Sequence, residues 1–212
     1  AADSLSEFQQ QVFRLLTSPR TRAAFDLSKE SPATRARYGN TVWANSCLVA
    51  RRLVEAGSTF ISVNWDDDHK DDKVSPHWDT HVDNFTSHEK ALVPHADAAL
   101  STLLTDLYDR GLLDETLVVM WGEMGRTPRI NGNAGRDHWA QCQSVILAGG
   151  GIKPGTVVGA TDKTASYPTT TPYGIRDLLR TILGQLGIDA DRQYLTPLGR
   201  PVPLVKDGAF ID

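Results

Sequence analysis

Residues 116–139 read TLVVMWGEMGRTPRINGNAGRDHW, and the reading of the fold starts there. The run 116–121 is β-branched and apolar, too short for a helix, and bounded by Gly122. Such a run predicts a strand buried on both faces. Gly122 and Gly125 follow at once, and glycines there let a backbone turn sharply and approach a ligand. In open α/β sheets ligands bind at the carboxyl ends of strands, so Glu123 falls where chemistry is expected. A polar, Gly- and Asn-rich loop then leads to Asp137, His138 and Trp139. A carboxylate and an imidazole on one loop are ingredients of a metal site.

Working outward, 59–65 (TFISVNW) is the preceding strand candidate. Between the two strands the spacing predicts a helix over 87–110, with Leu92, Ala96, Ala99, Leu100, Leu103 and Leu107 on one stripe and Gly111 as its stop. Strand, helix, strand at these lengths is a βαβ crossover, which makes 59–65 and 116–121 parallel. Downstream, 144–148 reads as a third buried strand closed by Gly149, Gly150 and Gly151, and 156–160 as a short edge strand. Thr171 and Pro172 begin a last helix with Ile175, Leu178, Leu179, Ile182 and Leu186 on its apolar face. Residues 189–212 read as extended surface coil.

Upstream, Leu5, Phe8, Val12 and Leu15 recur at helical spacing until Ser18-Pro19 ends the helix. A short helix over 19–26 and a longer one over 33–56 follow, the latter with Trp43, Cys47, Ala50 and Val54 on one face. The expectation is a doubly wound α/β fold: a mostly parallel sheet flanked by helices, in a single domain over 1–212.

The chain has 212 residues, 40% apolar and 23% charged, ordinary for a globular protein with a real core. A net charge of −4 gives no argument for nucleic acid. No apolar run approaches the roughly 18 residues a bilayer span needs. Cys47 and Cys142 form no disulfide framework or zinc knuckle and read as buried free thiols. Nothing in the pattern fixes an oligomeric state.

Three segments offer ligands. His77, Asp79 and His81 follow the first strand, and alternate residues of an extended segment project to one side, so Asp79 and His81 can converge on one ion. Glu123 follows the second strand, and Asp137 and His138 close its loop. Neutral imidazole with carboxylate suits zinc, manganese or iron. One Asp-x-His is a weak signal, and Asp137 serves equally well as a partner orienting His138. The acidic run 66–73, with His69, reads as a solvated face. What strengthens the metal reading is that all three sets fall at one predicted sheet edge. Arg126 and Arg136 flank the loop and are suited either to phosphate or sulfate oxygens or to bracing it. The run 47–51 (CLVAR) resembles the cysteine motif that sulfatases oxidise, but lacks its proline and sits in mid-helix; it reads as accidental.

The runs LLTSPRTRAAFDLSKE (15–30), CLVARRLVEAG (47–57), WDTHVDNF (78–85), 111–139 and SVILAGGGIKPGTVVGATD (144–162) resemble an uncharacterised bacterial family. It is catalogued as domain of unknown function fifteen-zero-one, within the alkaline phosphatase-like superfamily. The resemblance implies that this chain is the C-terminal portion of a longer, exported protein, periplasmic or secreted. The superfamily's nucleophile and first metal-binding Asp would lie in an N-terminal half. Asp79 and His81 look like the superfamily's first ligand pair, although closer in sequence. Glu123 stands where an Asp-His pair is expected, a departure that leaves a one-metal site or altered chemistry open. His138 looks like the late ligand.

The resemblance implies a divalent metal, zinc first, with manganese, iron or calcium as alternatives. The expected function is an extracytoplasmic hydrolase of phosphate or sulfate esters. Asp79, His81, Glu123 and His138 would hold the metal, Arg126 would meet the anion, and Asp137 would orient. Its partner would be a small anionic ester or a sulfated or phosphorylated polysaccharide. The alternative is a non-catalytic scaffold that holds such a polysaccharide in the same groove.

Overall fold

The structure, a computed structural model, describes residues 6–65 and 77–211. The charged run 66–73 and Leu5 lie outside the described residues. The chain divides into two compact units, Ala1–Arg110 and Gly111–Asp212.

Small polar caps and prolines punctuate the first unit. Helix α1 (Glu7–Thr17) ends at Ser18, whose hydroxyl accepts from Thr21 N–H to open α2 (Pro19–Ala24). The apolar face expected on α1 is exposed at Phe8 and Val12. The helix expected over 33–56 is two. Helix α3 (Pro32–Tyr38) stops at Gly39, whose φ of 107° no other residue adopts readily. Thr41 then caps α4 (Val42–Glu55) through its hydroxyl.

The helix expected over 87–110 begins earlier, as α5 (Asn84–Ser87), and continues through a π turn (His88–Leu92) into α6 (Val93–Asp109). Pro94 explains the turn. It has no N–H for the carbonyl of Lys90, so the ladder opens and Val93 N–H reaches back to His88 O instead.

The core of this unit lies between α3, α4 and α6. Ala44, Cys47, Leu48 and Ala50 of α4 meet Ala96, Ala99, Leu103 and Leu107 of α6, with Tyr38 closing one side. Arg51, in the middle of this core, is 1% exposed. Its guanidinium reaches Glu30 (2.8 Å), Glu55 (2.6 Å) and Asp106 (2.9 Å). Asp106 also accepts from Tyr38 Oη and Arg110 Nε. Burial would drive the Arg51 proton off, but the surrounding carboxylates outweigh it and its pKa rises.

In the second unit β1 (Val118–Met120) pairs antiparallel with β4 (Ile146–Ala148), Val119 facing Leu147. Inside that pairing a shorter ribbon joins β2 (Gly125–Arg126) to β3 (His138–Trp139), with Arg126 opposite His138. Helix α7 (Ile175–Gln185) starts at Gly174 rather than Thr171, because the Asp177 carboxylate takes Gly174 N–H (2.6 Å). The tail expected as coil carries a third ribbon, β5 (Gln193–Leu195) with β6 (Pro201–Pro203). Residues 156–160 form no strand; the nearest pairing is an isolated bridge, Thr161 to Pro168.

The ladders of the described residues are all antiparallel and two-stranded. Residues 59–65, expected as a strand, carry no described ladder, so the doubly wound parallel sheet stays an expectation.

Candidate functional site

In the first unit the segment 77–81 is turned rather than extended: His81 N–H donates back to Asp79 O at 3.0 Å. Thr80 is buried and its hydroxyl accepts from the Asn84 side-chain amide, while Asp79 and His81 turn outward. His81 Nε2 and Asp79 Oδ1 lie 3.0 Å apart. Two atoms bound to one zinc ion at about 2.0–2.2 Å in tetrahedral geometry sit roughly 3.4 Å apart, so the pair needs little adjustment to share a cation. His77, the third member of that set, is turned to the backbone: its Nδ1 accepts from Asp79 N–H at 3.1 Å.

Asp83, two residues beyond His81, holds a left-handed backbone (φ 48°, ψ 47°) just before α5. Strain of this kind persists where the surroundings over-determine it. An aromatic row lies beside this segment: Trp43, Trp65, Trp78 and His88 follow one another at centroid distances of 5.0, 5.4 and 5.4 Å. The Trp65–Trp78 contact brings together the two ends of the connection between them. His88 donates its Nδ1 proton to Asn84 O (2.7 Å), since a carbonyl can only accept.

In the second unit Arg126 and His138 face each other across β2 and β3, which puts both side chains on one face of the ribbon. Glu123 is largely exposed and lies 3.6 Å from the Arg126 guanidinium. Gly125 is required for close approach, though to the chain itself rather than to a ligand: a Cβ there would stand 1.6 Å from Cys142 O.

The loop between the ribbon strands is tied to itself. Thr127 N–H donates to Asp137 O (2.8 Å), and Asp137 N–H returns a bond to Thr127 Oγ1 (3.0 Å). The Asn131 amide donates to Asp137 Oδ1 (3.1 Å). Arg136 donates from Nη1 to Thr127 O and Pro128 O, so it braces the loop. Trp139 is pinned by its Nε1 donating to Ser166 O (2.7 Å) and by Tyr167 against its ring.

Sequence reasoning missed Asn131: Asn-Gly-Asn signals the turn its side-chain oxygen closes, but not its bond to Asp137. It also left the cysteines undivided. Cys47 is buried and its thiol is pushed up to about 12 by desolvation, which removes it as a thiolate nucleophile. Cys142 is half-buried.

Among the described residues no helix is long and apolar enough to cross a membrane. No curated protein and no solved structure matches the chain. Over residues 1–212 the sequence matches the family described as "Protein of unknown function (DUF1501)", and the chain belongs to that family.

Proposed function

We propose that this chain is the metal-binding portion of an extracytoplasmic hydrolase of phosphate or sulfate esters, with the doubly wound architecture of the alkaline phosphatase-like superfamily. The observation that carries the reading is the 3.0 Å approach of His81 Nε2 to Asp79 Oδ1 on a segment anchored by buried Thr80. The cross-strand pair of Arg126 and His138 supports it, because it sets a guanidinium for an anionic oxygen beside an imidazole.

In this reading Asp79, His81 and His138 hold one divalent cation, zinc first, with Glu123 as a fourth donor. A cation so held supplies an acidified water and stabilises charge on an ester oxygen. Arg126 has two tasks. It neutralises Glu123 before substrate arrives and binds the phosphate or sulfate group afterwards. Asp137 fixes the orientation of the loop that carries His138. The substrate class is a small anionic ester or an ester group on a polysaccharide.

The test is zinc titration by calorimetry, with metal content measured on the purified protein. Wild type is expected to bind one equivalent, and His81→Ala and His138→Ala are each expected to weaken binding by 10-fold or more. Unchanged affinity in both variants sinks the reading. Zinc binding without turnover of aryl phosphates or sulfates leaves the scaffold alternative in its place.

A further inference from the structure

The loop between β2 and β3 contains a residue whose two ends do different jobs. The Asn131 side-chain oxygen accepts from Asn133 N–H (2.9 Å) and Gly135 N–H (3.0 Å). Between those two lies Ala134, held at φ 55°, a left-handed conformation a residue with a Cβ resists. The same side chain points its nitrogen the other way, to Asp137 Oδ1 (3.1 Å). The backbone closes the loop as well, through Asn131 N–H to Gly135 O (2.9 Å). One amide thus builds the turn with its acceptor and grips a carboxylate with its donor.

We infer that Asn131 is the positioning residue of this loop. It fixes the Asp137 carboxylate, and through it the adjoining His138, in the arrangement that takes a metal ion. The inference rests on the metal reading above and names a residue that reading does not use. The Asp137 backbone is tied to Thr127, and its carboxylate accepts from the Asn131 amide. Groups that hydrogen-bond a metal ligand directly are worth about 10–100-fold in affinity, and Asn131, acting one bond further out through Asp137, is expected at the low end of that range.

The two functions of Asn131 can be separated. Asn131→Asp keeps an oxygen for Asn133 and Gly135 but replaces the donor facing Asp137 with a second carboxylate. The exchange Asn131→Asp with Asp137→Asn restores a donor–acceptor pair with the direction of the bond reversed. Zinc affinity is measured by calorimetry on wild type, both single variants and the exchange, with the melting temperature of each.

Asn131→Asp is expected to weaken zinc about tenfold with little change in melting. The exchange is expected to bind zinc more tightly than the two single effects added together. Additive effects, or wild-type affinity in Asn131→Asp, overturn the inference. If Asn131→Asp fails to fold, the comparison of the exchange with Asp137→Asn decides. Tighter binding by the exchange supports the inference, and equal or weaker binding overturns it. His138→Ala is titrated alongside. If it binds zinc as wild type does, the metal reading fails at His138, independently of what position 131 does.

Discussion

The two units are held together by different means. The helical unit seals a core: Leu48, Leu92 and Ala99 are 0% exposed, and a charged network is enclosed with them. The ribbon unit encloses little among the described residues. Leu178, Ala190 and Val205 are its buried apolar side chains, while Leu195 and Leu198 stand 70% and 96% exposed. Its order comes from turns. Asp162 takes N–H groups from Thr164 and Ser166, Asp177 takes those of Gly174 and Ala209, and Arg180 grips Asp191 with both Nη atoms. Helices satisfy their backbone locally and need only one face covered. A strand needs a lateral neighbour on each edge, and β1 has a described one on one side only. Mutational damage to the core should therefore fall on the helical unit, and damage to single polar bonds on the ribbon unit.

The largest expected effect follows from Arg51. Arg51→Ala would leave Glu30 and Asp106 as nearly buried charges without their central partner. Breaking such a pair costs about 3–5 kcal/mol. Hydrogen exchange read by peptide mass spectrometry should show protection lost across α3, α4 and α6 and retained across β1 and β4. Equal loss in both units would mean that they unfold as one and do not differ in what holds them together.

Acid should divide the units in the same direction. Burial raises the Glu30 pKa, but hydrogen bonds from Arg51 and Arg52 outweigh it and the net shift is downward. At Asp106, Arg110, Tyr38 and Arg51 outweigh burial in the same way. A carboxylate whose folded value lies below its unfolded one adds stability that is full above the unfolded value. That stability disappears as pH falls through the folded value. The helical unit should weaken from about pH 4 downward. Asp162 and Asp177 are also lowered, by backbone N–H donors, yet they are only half-buried, where solvent screening leaves little energy in them. Protection measured between about pH 5 and 2 should fall more steeply in the helical unit. Parallel decline would show the Arg51 network to be energetically idle.

The same contrast explains what the sequence could reveal. The stripe along the π turn and α6 was readable because its repeat is local: Leu92, Ala96, Ala99, Leu103 and Leu107 are buried as the spacing requires, and Leu100 is half-buried. Arg51 was not, because nothing in CLVARRLVEAG says which arginine faces Glu30 and Asp106 from other segments besides Glu55 on its own helix. The runs 116–121 and 144–148 were recognisable as extended, but pairing is non-local: the strand–helix–strand order suggested 59–65 as a parallel neighbour of 116–121, and the described partner of β1 is antiparallel β4. At the candidate site Asp79 and His81 do meet, but across a backbone turn, His81 N–H to Asp79 O, rather than by the extended alternation the spacing suggested. The Asn131 bond to Asp137 lies in side-chain torsions that a residue pattern does not encode.

The smallest expected effect is the most discriminating about the ribbon unit. Leu198, in the turn between β5 and β6, is 96% exposed, so Leu198→Ala removes almost no buried surface. Substitutions at such positions usually stay within about ±0.5 kcal/mol. A urea midpoint indistinguishable from wild type is the expected result. A loss of more than about 1 kcal/mol could not come from the surface the side chain covers here, because that surface is open. It would mean that Leu198 is covered in solution, and that the sparse interior of the ribbon unit is completed from outside it.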